Sequence, residues 1–173
     1  MKKVFLFLPL LLLTAFFGCK KIDQLLTFNV DVTQSVTIPG YFVGAQLPAV
    51  KVTTRSEESF RNNKTSREKV KDVYLSKLVL TVTSPPGSTF DFLNSIDIFI
   101  NTPGANNRIL LAKLATVPRG VSTITLEPTS ARLDEYLKSD IYELTVDAKL
   151  SGFNANDFTV RSDATFKVTA DPL

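Results

Sequence analysis

Between Leu26 and Ile38 the chain alternates without a break: the even positions are Leu26, Phe28, Val30, Val32, Gln34, Val36 and Ile38, the odd ones Thr27, Asn29, Asp31, Thr33, Ser35 and Thr37. A helix would spread these side chains around its circumference, whereas an extended strand sends them to opposite faces. The segment therefore predicts a long strand, or two in one line, with one buried and one wet face. Its apolar row needs a second layer to cover it. Pro39-Gly40 ends the run.

The same reading recurs downstream. Tyr41 to Val52 is mixed and holds Pro48, with a short edge strand expected at Val50 to Thr53. Val73 to Thr83 is rich in Val, Leu and Thr and stops at Ser84-Pro85-Pro86-Gly87. Ile96, Ile98 and Ile100 alternate in a strand that stops at Asn101-Thr102-Pro103-Gly104. Arg108 to Thr116 and Val121 to Glu127 follow, divided by Pro118-Arg119-Gly120. Tyr142 to Leu150 and Phe158 to Val168 alternate most clearly, and the turn Ser151 to Asp157 predicts that they form a hairpin. Turns at this spacing predict an all-β, antiparallel β-sandwich, jelly-roll or Ig-like, of about 7–8 strands.

Two stretches break the β pattern. From Thr53 to Asp72, six basic residues (Arg55, Arg61, Lys64, Arg67, Lys69, Lys71) and four acidic ones (Glu57, Glu58, Glu68, Asp72) surround few apolar anchors beyond Phe60 and Val70. This is a polar crossover with a helical turn or two after Ser56, a candidate N-cap. One short helix is expected from Ala131 to Lys138, since Leu133, Tyr136 and Leu137 share a face and Thr129 or Ser130 is placed to cap it. It would plug one end of the sandwich.

The amino terminus has a different logic. Lys2 and Lys3 precede an apolar run from Val4 to Leu13, then Thr14, Ala15, Phe16, Phe17, Gly18 and Cys19. That is the plan of an export signal, and with Pro9 inside it the run falls short of the roughly 20 residues a spanning helix needs. Gly18 before the only cysteine resembles a lipobox, with Phe16 and Phe17 as departures from its usual residues. The resemblance implies cleavage between Gly18 and Cys19 and a thioether from Cys19 to diacylglycerol, anchoring the mature chain in a lipid bilayer. Residues 1–18 are then signal peptide, 19–25 lipidated cysteine and tether, and 26–173 one β-sandwich domain. Lys20 to Leu25 span at most about 20 Å, which keeps the domain close to the membrane, with Lys20 and Lys21 near the headgroups.

Taken whole, the Cys-Lys-Lys start, the long first strand, the polar crossover, the segment LVLTVTSPPGSTFDFLNSIDIFI, the helix LDEYL and a closing hairpin are similar to uncharacterised lipoproteins of Bacteroidetes-type bacteria. The resemblance implies an address in the cell envelope, at the outer membrane. It implies no reaction.

Composition narrows the chemistry. Removing the signal from 173 residues takes Lys2 and Lys3 and no acid, so 20 basic and 17 acidic residues become 18 and 17. A mature chain so nearly neutral argues against a nucleic-acid partner. Histidine is absent. Ser-His-Asp and Cys-His catalysis and histidine-bound zinc are thereby excluded.

Paired carboxylates are the catalytic apparatus still open to such a chain. Asp91, Asp97, Asp134 and Glu135 are the acids near loops, but their spacing marks no pair. Asn154, Asn156 and Asp157 offer too few carboxylates for a calcium site and suit a turn. Tyr41, Phe42, Phe90, Phe92 and Phe153 lie near loops, where packing is the ordinary role of an aromatic. Phe99 alternates out of phase with its isoleucine neighbours, so it faces a second layer or makes an exposed patch.

These readings give no catalytic residue, no cofactor and no metal ligand. They predict a non-enzymatic, lipid-anchored binding or structural module with an envelope protein or glycan as partner. The alternatives are a carboxylate-dependent glycan hydrolase, which requires two acids across a cleft, and a carrier of an apolar ligand. The carrier requires a cavity lined by the inward residues of the first and last strands.

Overall fold

The structure is a computed structural model that describes residues 25–40, 46–152 and 156–173. The signal peptide, Gly18, Cys19 and Lys20 to Gln24 of the tether lie outside the described residues, as do Tyr41, Phe42, Phe153 and Asn154.

Among the described residues eight strands form: β1 (Leu26–Ile38), β2 (Gln46–Thr53), β3 (Val70–Ser84), β4 (Leu93–Asn101), β5 (Ile109–Leu114), β6 (Thr123–Pro128), β7 (Ile141–Leu150) and β8 (Phe158–Ala170). Two short helices accompany them, α1 (Ser56–Asn62) in the polar crossover and α2 (Asp134–Lys138) before β7. All strand pairs are antiparallel, in the order β1-β8-β3-β6-β5-β4-β7-β2. The order folds into two four-stranded layers, β1-β8-β3-β6 over β2-β7-β4-β5. β6 and β5 join them along one side through Ala112 opposite Pro128 and Lys113 opposite Glu127. That is the jelly-roll order, which distinguishes it from the Ig-like alternative.

The alternation in β1 does what it predicts. Its odd side chains are exposed and its even ones turn inward, in unbroken register with β8 from Leu26 opposite Ala170 to Ile38 opposite Phe158. β7 and β8 do not form the expected hairpin. β7 pairs with β4 and β2, β8 with β1 and β3, so the Ser151–Asp157 connection crosses between layers. Period two reports that a strand has one dry face; both layers supply one.

The two ends of the sandwich are packed differently. At the end where β1 begins, α1 and α2 close the core, and Val52, Phe60, Val73, Ile100, Tyr136, Leu137, Tyr142, Phe166 and Val168 are buried almost completely. Phe60 meets Phe28 edge-on at 6.3 Å. Burying each such side chain contributes about 1.5–3 kcal/mol.

Neither helix is capped as expected. α1 follows Arg55 in a left-handed conformation, and Ser56 lies inside the first turn, where its buried hydroxyl donates to the Leu137 carbonyl at 2.6 Å. α2 starts only at Asp134, with Leu133 before it donating its N–H to the Val73 carbonyl of β3. Thr129 Oγ1 bonds instead to the Leu110 carbonyl at 2.7 Å. At the opposite end, where β1 finishes, the core is closed by Phe90, Phe92 and Phe158 rather than by a helix.

Candidate functional site

At this second end the layers do not meet fully. The inward residues of β1 from Val32 to Ile38 are only half-buried, as are Leu144, Val146 and Leu150 across from them on β7. Between them lies a cavity of about 110 Å³. Val36 and Ile38 of β1, Val160 of β8 and Leu80 of β3 line one side. Val50, Ile96, Ile98 and Leu144 to Leu150 of the other layer face them, and Phe90 and Phe92 close the end. Among the described residues no ionisable side chain lines it.

The walls follow from strand geometry. Inward positions recur every second residue, so any two facing apolar rows make an apolar gap wherever the layers separate. They separate here because β1 and β2 are the two free edges of the fold and no hydrogen bond joins them, whereas β5 and β6 hold the other side together. Residues of the first and last strands, β1 and β8, are among those that line the cavity.

Two polar side chains interrupt the wall, Gln34 and Ser162. They are directly opposite one another in the β1–β8 register, and both are half-buried. Among the described residues neither has a hydrogen-bond partner. The alternation of β1 contains Gln34 as the only polar member of its inward row, and Ser162 interrupts the inward row of β8 in the same way. Each break is visible in sequence; that they share a register position is not.

The acids considered for catalysis are occupied or dispersed. Asp91 accepts from Gly120 N–H at 2.7 Å and from Thr89 Oγ1 at 2.8 Å, while its carbonyl takes Arg119 Nη1 at 2.5 Å and the Ser151 hydroxyl. Those donors, with the Arg119 charge, hold its carboxyl below the usual aspartate range. A shallow depression beside it is lined by Gly87, Ser88, Thr89, Phe92, Ser151, Gly152 and Phe158, with Asp91 as its one carboxylate. Asp97 is exposed on β4, opposite Lys113 and Asp147 in register.

Asp134 pairs with Arg132 at 3.4 Å, and Glu135 accepts from Asn107 Nδ2 at 3.0 Å. Tyr136 donates to the Asn107 carbonyl at 2.5 Å, and burial together with the Glu135 carboxylate pushes its phenol up to about 12. These bonds build loops and a helix end. Asp157 accepts from Gly40 N–H at 2.7 Å, tying the two cavity-side turns together. No group of three or more His, Cys, Asp or Glu suited to a metal occurs among the described residues.

Phe99 neither meets a second layer nor stands bare. The Arg108 guanidinium covers its ring at 3.4 Å from the centroid and is held there by Asp147 at 3.1 Å and Thr145 at 3.0 Å. A cation over an aromatic face contributes about 0.5–1 kcal/mol at an exposed site.

No protein-family model matches the chain, and no curated protein matches it. Among solved structures, the decameric BFDV capsid protein aligns with 85% of this chain and 99% of its own, at 7% identity and a TM-score of 0.40. Desmodium yellow mottle tymovirus aligns over 87% and 89% at 9% identity and a TM-score of 0.33. Turnip yellow mosaic virus aligns over 84% and 83% at 13% identity and 0.26. Likenesses of this strength say nothing about function.

Proposed function

We propose that the chain is a lipoprotein of the bacterial cell envelope, anchored through acylated Cys19, whose sandwich binds an apolar ligand rather than catalysing a reaction. The observation that carries the binding half is the uncharged, apolar cavity between β1, β8 and β7. A concave site with apolar walls and few polar groups is the usual form of a small-molecule site. The anchoring half rests on the Gly18-Cys19 resemblance to a lipobox and on the short tether.

On this reading the two halves also suggest where the ligand sits relative to the anchor. β1 begins at the tether and the cavity lies against its second half, from Gln34 to Ile38. Eight residues of strand separate Leu26 from Gln34, about 26 Å at 3.3 Å per residue. The cavity therefore lies at the end of the sandwich away from the anchor, and the helix-closed end faces the lipid. A ligand reaches it from the side remote from the protein's own membrane. That geometry suits capture or hand-off across an envelope compartment better than extraction from the anchoring leaflet.

Labelling cells with a radioactive fatty acid tests the anchor. Wild-type chain should carry the label and sediment with membranes, and Cys19→Ser should carry none. A Cys19→Ser chain labelled as strongly as wild type overturns the anchoring half. Turnover of a glycan by the purified chain, with no bound apolar ligand, overturns the binding half.

A further inference from the structure

The two free edges of the fold are built differently. A free edge offers a row of unpaired backbone N–H and C=O groups to any other strand, and folded proteins block such edges with proline, lysine or a bulge. β2 carries all three: Pro48, the exposed Lys51, and a shift of register against β7 between Leu47 and Val50. β1 carries none of them. From Leu26 to Ile38 it has no Pro, Lys or Arg, and its 13 residues run beside β8 without a shift.

The polar side chains of β1 bond towards β8 and leave the outer edge clear. Thr33 Oγ1 donates to Asp163 at 2.9 Å, Thr165 Oγ1 donates to Asp31 at 2.7 Å, and Thr37 meets Thr159 at 3.3 Å. Among the described residues no strand pairs with that edge. The apolar row of β1 is open from the same flank. Phe28, Val32, Val36 and Ile38 are half-buried, whereas Val73, Leu78 and Val82 in the inward row of β3 are buried.

The backbone selects the class of partner. About half the residues of a 13-residue strand turn their N–H and C=O groups to the free side, at a repeat of about 6.6 Å over about 40 Å. Another extended polypeptide presents donors and acceptors at that repeat. The half-buried row calls for apolar residues at every second position of the added strand, since a charge there would lose water beside Val36 and Ile38 without gaining a partner. Asp31 is the one charge on β1 and is exposed, so a basic residue is favoured beside it in the polar row.

A second copy of the chain does not fit. On the anchoring reading the helix-closed end of every copy faces the lipid. Two-fold pairing of β1 with β1 in one sheet runs antiparallel and would lift one tether about 40 Å from the bilayer, twice its reach of about 20 Å. Pairing of β1 with the β2 edge of a neighbour meets Pro48 and the shifted register.

We propose that the free edge of β1 docks an extended segment of a partner protein, which joins the sheet as one more strand, apolar at alternate positions and basic beside Asp31. The exclusion of a second copy rests on the anchoring reading; the open edge does not.

Hydrogen exchange of the full lipidated chain, reconstituted in phosphatidylcholine vesicles, tests this with three synthetic peptides. The first alternates Val with Thr and carries one Lys in its polar row; the second has every backbone amide N-methylated; the third has Glu for Lys. The first, at saturation, should slow exchange in β1 by about tenfold, the protection given by hydrogen bonds of about 1 kcal/mol each, and leave β2 unchanged. The N-methylated peptide should slow nothing. The Glu peptide should bind a few-fold more weakly, and Asp31→Lys, an exposed change, should reverse that preference.

Unchanged exchange in β1 with the first peptide overturns the proposal. So does equal slowing by the N-methylated peptide, equal slowing in β2, or a charge preference that Asp31→Lys leaves as it was. Protection of β1 without peptide that disappears when the chains are diluted among more vesicles shows a second copy on the edge, and also overturns it. A chain that does not enter vesicles refutes the anchoring reading instead, and the same peptides added to that soluble chain still decide whether the edge takes a strand.

Discussion

Replacing Gln34 by leucine should make the ligand-free protein more stable, in the direction opposite to most substitutions at an inward-facing position. The Gln34 amide faces an apolar wall with no hydrogen-bond partner among the described residues. An amide in such surroundings without compensation costs about 1–3 kcal/mol by protein mutational measures. Because Gln34 is only half-buried and no buried side-chain polar atom among the described residues lacks a partner, its amide keeps contact with water and only the low end of that range applies, about 1 kcal/mol or less. Leucine also adds apolar burial at about 25 cal/mol per Å². A gain of about 1 kcal/mol raises the melting temperature of a domain of this size by about 2–4 °C. Calorimetry of delipidated Gln34→Leu beside wild type measures it. A melting temperature that falls would mean that the amide is already satisfied in the free protein, which refutes the reasoning from an unpartnered polar pair.

Three other substitutions probe the frame around the cavity. Asp91→Asn should destabilise the protein near neutral pH, with an effect that fades as pH falls below the ordinary aspartate range, since a carboxyl whose folded pKa is depressed contributes stability above its unfolded value and loses it as pH falls through the folded one; urea midpoints at neutral and acid pH show the difference. Phe60→Ala should cost about 3–5 kcal/mol in urea unfolding and raise hydrogen exchange in α1, whose packing on Phe28 of β1 it removes. Gly120→Ala should cost about 1–2 kcal/mol in the same assay, from backbone strain at φ +70° alone, because an added Cβ would meet nothing within 4 Å.

The strands were legible because burial imposes period two directly on sequence. Leu26 to Ile38 marks β1 almost residue for residue, and the Pro-Gly turns punctuate β3, β4 and β6. What periodicity omits is the layer to which a strand belongs. β7 and β8 read as a hairpin and lie in opposite layers, since both layers have one dry face and the connecting turn is compatible with either route.

The helix starts were misplaced for a related reason. Ser56 and Thr129 are competent caps by composition, but tertiary partners at Leu137 and Leu110 claim their hydroxyls. The cavity was legible only as a condition on the inward residues of β1 and β8; the gap itself lies between the layer these two strands share and β7. Its polar pair depends on the β1–β8 register, across 128 residues of sequence between Gln34 and Ser162. Asp91 looked like an isolated loop acid because its donors, Gly120 and Arg119, come from a turn remote in sequence.

A crystal of the protein held under xenon pressure tests the central claim most directly, because xenon enters dry apolar cavities large enough to hold it. The account predicts a xenon atom between β1 and β7, in contact with Val36, Val146 and Leu150. Electron density in which the β1 side chains close against β7, with no xenon between the layers, would contradict it.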